Sequence, residues 1–446
     1  NELLREASFD RKVEALCQRF YEADGTVGRP SIPPGVYFRM LLVGYFEGIE
    51  SERGICWRCA DSLSLRDFLG LLPQDSVPDH SSLSRIRTRL DGAVYEDVFR
   101  LVLGIVADKG LLRGKVAGVD STYLRADASM KTIVRRDTEQ SYQDYLKKLA
   151  QEQGIENPTV EDGRRIDRKR KGKRTSNKEW KSKTDADARI ARLKDGRTRL
   201  AYKAEHVVDM ETGAVLAAEI HHATEGDTAT MHANLDQARE NAAEAKKSGD
   251  AKKKKSPDDD EPPPPPRTTE VVADKGYHKA ELLHELKKDG YRTYISVPKQ
   301  EGERCWRDKG GYYTARTFYA NRDRVTMPKG KALLRKRGEL IERTFAHACE
   351  TGAHRRVRLR GRENVRKRYL LQIAAVNLAL VMRSLLGRGT PRQEAEARKG
   401  RFALILVLWA AVEAVARLVH QAAAREWDAG WRVMEARSRW LRPMAA

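Results

Sequence analysis

The stretch Val271-Val272-Ala273-Asp274-Lys275-Gly276-Tyr277 constrains the fold more than any other. Apolar β-branched residues run directly into a carboxylate, a glycine follows, and a helical pattern begins at His278. This reads as a buried strand that ends on an acid at the edge of a sheet. In α/β sheets the C-terminal end of a strand is a usual place to hold a metal or a reacting group. A lone strand-end Asp is also a common turn former, so the functional reading depends on convergence with other carboxylates. Two have complementary contexts: Asp120 in Val116-Ala-Gly-Val-Asp120-Ser-Thr, and Glu342 in Gly338-Glu-Leu-Ile-Glu342-Arg-Thr-Phe.

Composition narrows the partners. The chain has 446 residues, with 85 Lys and Arg against 64 Asp and Glu, a formal charge of +21. In a chain with an ordinary apolar share, such a surplus points to a polyanionic partner, nucleic acid first and an anionic membrane surface second. Five scattered cysteines, Cys17, Cys56, Cys59, Cys305 and Cys349, fit a reducing compartment better than a disulfide framework. Cys56 and Cys59 form a CxxC inside a helical pattern with no second Cys/His pair at zinc spacing, so they read as two helix residues. No signal peptide is evident. The apolar run Phe402–Val412 is shorter than the roughly 20 residues a membrane span needs. A soluble cytoplasmic protein is expected.

Residues 1–112 read as an all-α domain. Phe9, Val13, Leu16, Cys17 and Phe20 recur at helical spacing, and Pro30, Pro33 and Pro34 interrupt the pattern before a helix over Tyr37–Phe46. Pro78-Asp79-His80-Ser81 is a helix start. The Arg-rich helix that follows, with Arg85, Arg87 and Arg89, reads either as a recognition helix or as an amphipathic helix with solvated arginines. Residues 113–388 then alternate strands and helices. Lys115–Thr122 is a strand carrying Asp120, Thr198–Asp209 and Ala214–Ile220 form a hairpin, and Glu225-Gly-Asp227 starts a helix. The Asp274 strand, a helix over Lys279–Lys288, a strand over Tyr291–Val297 and a helix over Lys329–Ala348 with Glu342 follow. The order predicts a mixed α/β layer. Polar inserts fall at about 137–190 and 244–268. In the first, Arg168-Lys-Arg-Lys-Gly-Lys-Arg174 reads as a mobile solvated loop, or as a phosphate-contacting arm if the partner is nucleic acid. In the second, Lys246–Arg267 is low complexity and expected to be disordered. Residues 389–446 form a helical tail with Trp409, Trp427, Trp431 and Trp440.

If the three carboxylates meet, they offer hard oxygen ligands suited to Mg²⁺ or Mn²⁺ rather than zinc. Two such ions would clamp the attacking and leaving oxygens of a phosphoryl displacement. Phosphodiester chemistry on a polyanion also fits the basic surplus.

Taken in order, these blocks resemble a bacterial insertion-sequence DDE transposase. Asp120-Ser-Thr, Val272-Ala-Asp274-Lys-Gly-Tyr277 and Glu342-Arg-Thr-Phe345, with Arg358-Leu-Arg-Gly361 downstream, match that family's catalytic blocks. Asp195–Lys203 and Glu225-Gly-Asp227-Thr are similar to its intervening blocks, and Pro78–Arg85 to the helical domain of one branch. The resemblance implies an RNase H-like mixed-sheet catalytic core, preceded by an all-α DNA-binding or dimerisation domain and followed by the helical tail. It implies Asp120, Asp274 and Glu342 as catalytic residues and ligands of two Mg²⁺ ions, Mn²⁺ serving in their place. It implies a homodimer acting on double-stranded DNA, at transposon ends and target, without a membrane, in the bacterial cytoplasm and on the nucleoid when DNA-bound. DNA contacts are expected from His80, Arg85, Arg87, Arg89, Lys203, Lys275, Tyr277, Arg343, Arg355 and Arg356. The chain departs from the family at two places: Gly338 stands where an Arg is expected and Cys349 where a Lys is expected, with Arg335, Arg337 or Arg343 as substitutes. A nuclease that cuts without joining, or an inactive DNA-binding remnant, are the alternatives.

Overall fold

Capping residues punctuate the first third of the chain. Among the described residues its helices are α1 (Glu2–Glu6), α2 (Phe9–Cys17), α3 (Pro34–Phe46), α4 (Glu52–Asp61), α5 (Leu63–Leu69), α6 (His80–Arg89) and α7 (Gly92–Asp108). The side chains of Ser51, Ser62, Asp79 and Asp91 accept backbone N–H bonds at the starts of α4 to α7. Each satisfies a donor that the helix itself leaves free. Pro34, expected to interrupt the pattern, is instead the first residue of α3, a position where its missing N–H costs nothing. The computed structural model describes residues 1–21, 31–193, 195–250, 269–299, 306, 311–387 and 405–415. Most of the Lys246–Arg267 insert and most of the tail, with Trp427, Trp431 and Trp440, lie outside these residues.

The remaining elements are β1 (Val116–Arg125), β2 (Ile133–Arg135), α8 (Tyr142–Gln151), α9 (Val160–Lys169), α10 (Ser176–Glu179), β3 (Trp180–Ser182), β4 (Arg189–Arg192), β5 (Thr198–Asp209) and β6 (Val215–His222). They continue with α11 (Asp227–Asp250), β7 (Glu270–Ala273), α12 (Ala280–Lys288), β8 (Arg292–Ile295), α13 (Gly311–Thr326), α14 (Pro328–Ala346) and α15 (Arg362–Leu386). Six strands form one mixed sheet. Its path runs β4-β5-β1-β7-β8, and β6 also pairs with β5. β5 is antiparallel to β1, whereas β1, β7 and β8 are parallel. The expected hairpin is β5 and β6, joined by a turn in which Gly213 has φ +83°.

Two asparagines close the sheet laterally. Asn321 of α13 accepts from Ile295 N–H at 3.0 Å and donates to Ile295 O at 2.8 Å. Asn377 of α15 makes the same pair of bonds with Val215, both at 2.9 Å. A side-chain amide thus plays the part of a neighbouring strand at β8 and at β6, which covers edges that would otherwise offer free backbone groups.

The polar insert after β1 is structured. α8 and α9 cross so tightly that a Cβ on Gly163 would lie 2.5 Å from Leu146 O, and Trp180 of β3 packs edge-on against Tyr142 and Tyr145. The expectation of a mobile solvated loop over 168–174 is corrected in part. Arg170 pairs with Asp167 and Glu179 at 3.1 and 2.6 Å, and Lys173 with Asp167 at 2.6 Å. Arg168, Lys169, Lys171 and Arg174 remain exposed.

Residues 1–387 form one compact unit and 388–446 a second. Within the first, α7 packs against α11 and α15. Arg366 of α15 reaches both Glu219 of β6 and Glu96 of α7. In the second unit, residues 405–415 are a helix with exposed side chains, Trp409 among them.

Buried His206 of β5 joins three elements. Thr344 Oγ1 donates to Ile341 O, so it accepts from His206 Nδ1 at 2.9 Å, and Tyr369 O–H then donates to Nε2 at 2.8 Å. The ring also stacks on Phe345, with centroids 4.1 Å apart. Burial pushes its pKa down to about 3, and that of His354 likewise. Both are therefore neutral when folded, while the unfolded chain takes up protons near 6.5. Their contribution to stability is complete above about 6.5 and is lost as pH falls from there toward about 3, on the order of 1 kcal/mol per pH unit for each. Thermal unfolding midpoints should drop between pH 7.5 and 5, and His206→Gln should flatten that drop; an equal slope in the variant would refute the assignment.

α13 meets α14 at a corner where a Cβ on Gly330 would stand 2.1 Å from Arg324 O. Because the obstacle is backbone, Gly330→Ala should destabilise the protein by about 1–3 kcal/mol. A chemical denaturation midpoint equal to the wild type's would show that the corner yields freely.

Candidate active site

The parallel register pairs Val116, Ala117, Gly118 and Val119 of β1 with Glu270, Val271, Val272 and Ala273 of β7. The residue after each of these stretches is an aspartate, Asp120 within β1 and Asp274 just past the end of β7, so the two lie side by side where β7 ends. Asp274 then turns the chain: its Oδ1 accepts from Gly276 N–H at 2.8 Å and begins a 3₁₀ turn over Lys275–Tyr277. Asp120 Oδ1 accepts from Ser121 N–H at 2.8 Å, and its Oδ2 lies 3.0 Å from Arg337 Nη1 of α14. Of the three arginines expected to substitute for the missing family Arg, Arg337 is the one seated on a carboxylate of the site. Arg343 pairs with Glu339 at 2.8 Å, and Arg335 is exposed.

α14 lies across the face of the sheet toward which Gly118 and Asp120 point. The absent side chain of Gly118 admits Ile341, whose Cδ1 would be 2.8 Å from a Cβ there. Leu340 rests 3.9 Å from the corresponding point on Gly213, in the turn between β5 and β6. Glu342 is about 200° further round the helix than Leu340, exposed on the flank away from that turn. It is not drawn onto the two aspartates. Among the described residues, no three His, Cys, Asp or Glu side chains gather closely enough to hold a metal. The donor chemistry of Asp120 and Asp274, carboxylate oxygens alone, fits a hard divalent cation; the cage for one is not closed.

Asp227, at the first position of α11, is the residue that sequence reasoning left out. Its Oδ1 accepts from Ser121 Oγ at 3.0 Å and pairs with Lys203 Nζ at 3.1 Å. Lys203 is only 2% exposed; it also donates to Thr230 Oγ1 at 2.9 Å and stands 3.5 Å from Glu205 Oε2. Burial raises the pKa of Glu205 despite Lys203, and it raises that of Tyr277, whose hydroxyl is sealed beside Glu205. The Tyr277 hydroxyl and Glu205 Oε1 are both buried without a well-formed hydrogen bond. A Lys and a Glu inside the apolar run Leu200-Ala-Tyr-Lys-Ala-Glu-His-Val-Val208 were the available signal for an internal ion pair.

The expected DNA contacts divide accordingly. Lys203 and Tyr277 are buried, with the Lys203 ammonium bonded to Asp227 and Thr230. Arg87 is partly withdrawn, paired with Glu52. His80, Arg85 and Lys275 are exposed; so are Arg89, whose guanidinium sits 5.1 Å over the Tyr21 ring, and Arg343. Arg355 is exposed and pairs with Glu350, while Arg356 is half-buried and pairs with Asp127 at 2.8 Å.

No helix of the described residues is long and apolar enough to cross a membrane. Two family models match the chain. The model described as Transposase domain (DUF772) matches residues 3–89, which hold α1 to α6, and the model described as Transposase DDE domain matches residues 162–378, from α9 into α15. The second range contains Asp227, Asp274 and Glu342, while Asp120 precedes it. Neither the curated proteins nor the solved structures contain a match. With both models in the order that the branch with a helical N-terminal domain requires, the chain belongs to the insertion-sequence DDE transposases.

Proposed function

We propose that this transposase, acting as a homodimer on double-stranded DNA, cuts phosphodiester bonds at transposon ends and joins the freed 3′-hydroxyls to target DNA. Asp120, Asp274 and Glu342 are the acidic residues of the reaction, on an RNase H-like core. The observation that carries the reading is the parallel register of β1 and β7, which sets Asp120 within β1 beside Asp274 at the end of β7, on the face crossed by the helix that bears Glu342. Asp120, Asp274 and Glu342 would hold Mg²⁺, which when bound stabilises charge on the phosphoryl oxygens. Arg337, already seated on Asp120, marks that edge as a place where a cation is favoured. His80, Arg85, Arg89, Lys275, Arg343, Arg355 and Arg356 supply positive charge to the DNA backbone. The exposed members of the 168–174 run add to it.

Asp274→Asn keeps the size of the side chain and its bond from Gly276 but removes the charge. It should lower Mg²⁺-dependent cleavage of a duplex carrying the inverted repeats that flank the gene by at least about a hundredfold. DNA affinity measured by gel shift should change little. Undiminished cleavage would remove Asp274 from the reaction. On the same duplex, joining of labelled ends to target separates a transposase from a nuclease that only cuts.

The structured insert sharpens a second test. Replacing Arg168, Lys169, Lys171 and Arg174 with Ala should flatten the dependence of log affinity on log salt by about 0.9 for each phosphate that is no longer neutralised. Arg170→Ala, which removes a cation already paired with Asp167 and Glu179, should leave that slope alone. A quadruple variant with an unchanged slope would show that this segment is merely solvated.

A further inference from the structure

The carboxylate of Asp227 lies between the stretch of β1 that carries Asp120 and the turn that Asp274 begins. On one side, its Oδ1 accepts from Ser121 Oγ at 3.0 Å, and Ser121 in turn gives its N–H to Asp120 Oδ1 at 2.8 Å. On the other side, its Oδ2 abuts Gly276: a Cβ there would lie 2.8 Å from Asp227 Oδ2 and 3.0 Å from Asp274 Oδ1. Gly276 gives its N–H to that same Asp274 oxygen at 2.8 Å. The glycine is therefore the thin wall that lets the two carboxylates approach.

What fixes Asp227 comes from below. Lys203, from the middle of β5, carries an ammonium that contacts Asp227, Thr230 and Glu205 and almost no solvent. An ammonium so enclosed cannot swing away without leaving its charge unpaired, which is strongly unfavourable. Thr230 is also tied, donating to Glu205 Oε2. A first-turn aspartate would be satisfied by its own helix terminus; here Oδ1 is given instead to a serine on β1 and a lysine on β5.

We propose that Asp227, anchored on Lys203, is a positioning residue. It sets the distance between Asp120 on β1 and the Asp274 turn, so that both can serve one divalent cation. The inference rests on the reading of those two aspartates as metal ligands. Groups that orient metal ligands without touching the metal typically account for ten- to hundredfold in affinity.

The test measures Mn²⁺ binding to the full-length protein without DNA, by electron paramagnetic resonance of the free ion, together with the thermal midpoint of each variant. The wild type should bind and Asp274→Asn should not. Asp227→Asn should bind about ten- to hundredfold more weakly, whereas Asp227→Glu, which restores the charge, should recover part of the loss. Ser121→Ala removes a single hydrogen bond and should weaken binding several-fold while folding normally; it decides the matter if Asp227→Asn does not fold. Wild-type affinity in both Asp227→Asn and Ser121→Ala, with binding lost in Asp274→Asn, would overturn the positioning role and leave the metal-ligand reading standing. If wild type does not bind Mn²⁺, or Asp274→Asn binds it equally well, the ligand reading fails and the positioning role falls with it.

Discussion

Four register pairs, from Val116 with Glu270 to Val119 with Ala273, hold β1 parallel to β7, and the candidate site takes its spacing from them. A slip of one residue would turn Asp120 or Asp274 to the opposite face. The register is guarded on both sides. β5 pairs with β1 along nine positions, and β8 repeats the parallel pairing on the far side of β7. Gly118 lets α14 settle against β1 through Ile341, so the helix bearing Glu342 is referenced to the strand bearing Asp120. Backbone pairing fixes the two aspartates and side-chain packing fixes the helix.

Polar groups in the interior then decide where the helices stop. His206 bridges β5, α14 and α15 with a single tautomer, and Asn321 and Asn377 pair with the backbone of β8 and β6. Arg366 links the helical region to the sheet through Glu96 and Glu219. Apolar contacts alone would tolerate several helix placements, because they are non-directional. Buried hydrogen bonds do not, since each misplacement would leave a desolvated polar atom without a partner.

Much of this was legible in the residues. The β-branched run into Asp274, the hairpin from Thr198 to Ile220 and the capped helix at Asp79 appear as their local patterns indicate, because short-range alternation and capping decide them. What local pattern could not show was which cations are spoken for. Arg87 finds Glu52 35 positions away, and Lys203 finds Asp227 24 positions away. Arg170 also meets Glu179 nine positions on, besides its near neighbour Asp167. A basic run read along the chain counts charge; its availability to DNA depends on acids that tertiary structure brings in. Tyr277's burial is likewise invisible locally: one residue beyond the exposed Gly276, the turn drives the ring inward against Glu205. Glu342, assigned from sequence order, is exposed on α14.

The Lys203 cluster shows why position within a strand carries information that composition does not. A buried ammonium and carboxylate, with the half-buried Asp227 beside them, are not an efficient way to stabilise a fold, since apolar residues of similar volume often do as well or better. The arrangement gives direction instead. Lys203 cannot turn outward without breaking its bonds to Asp227 and Thr230, and Asp227 cannot leave Lys203 without also releasing Ser121. A charged post set in β5 thereby reaches, through one carboxylate, Ser121 on β1 and the turn that follows β7. Arg337 differs in kind: it approaches Asp120 from a helix on the other face, 14% exposed at its side chain, and holds the carboxylate without being enclosed by it. Lys203 beneath Asp227 is thus an enclosed counter-charge, and Arg337 on Asp120 a more accessible one.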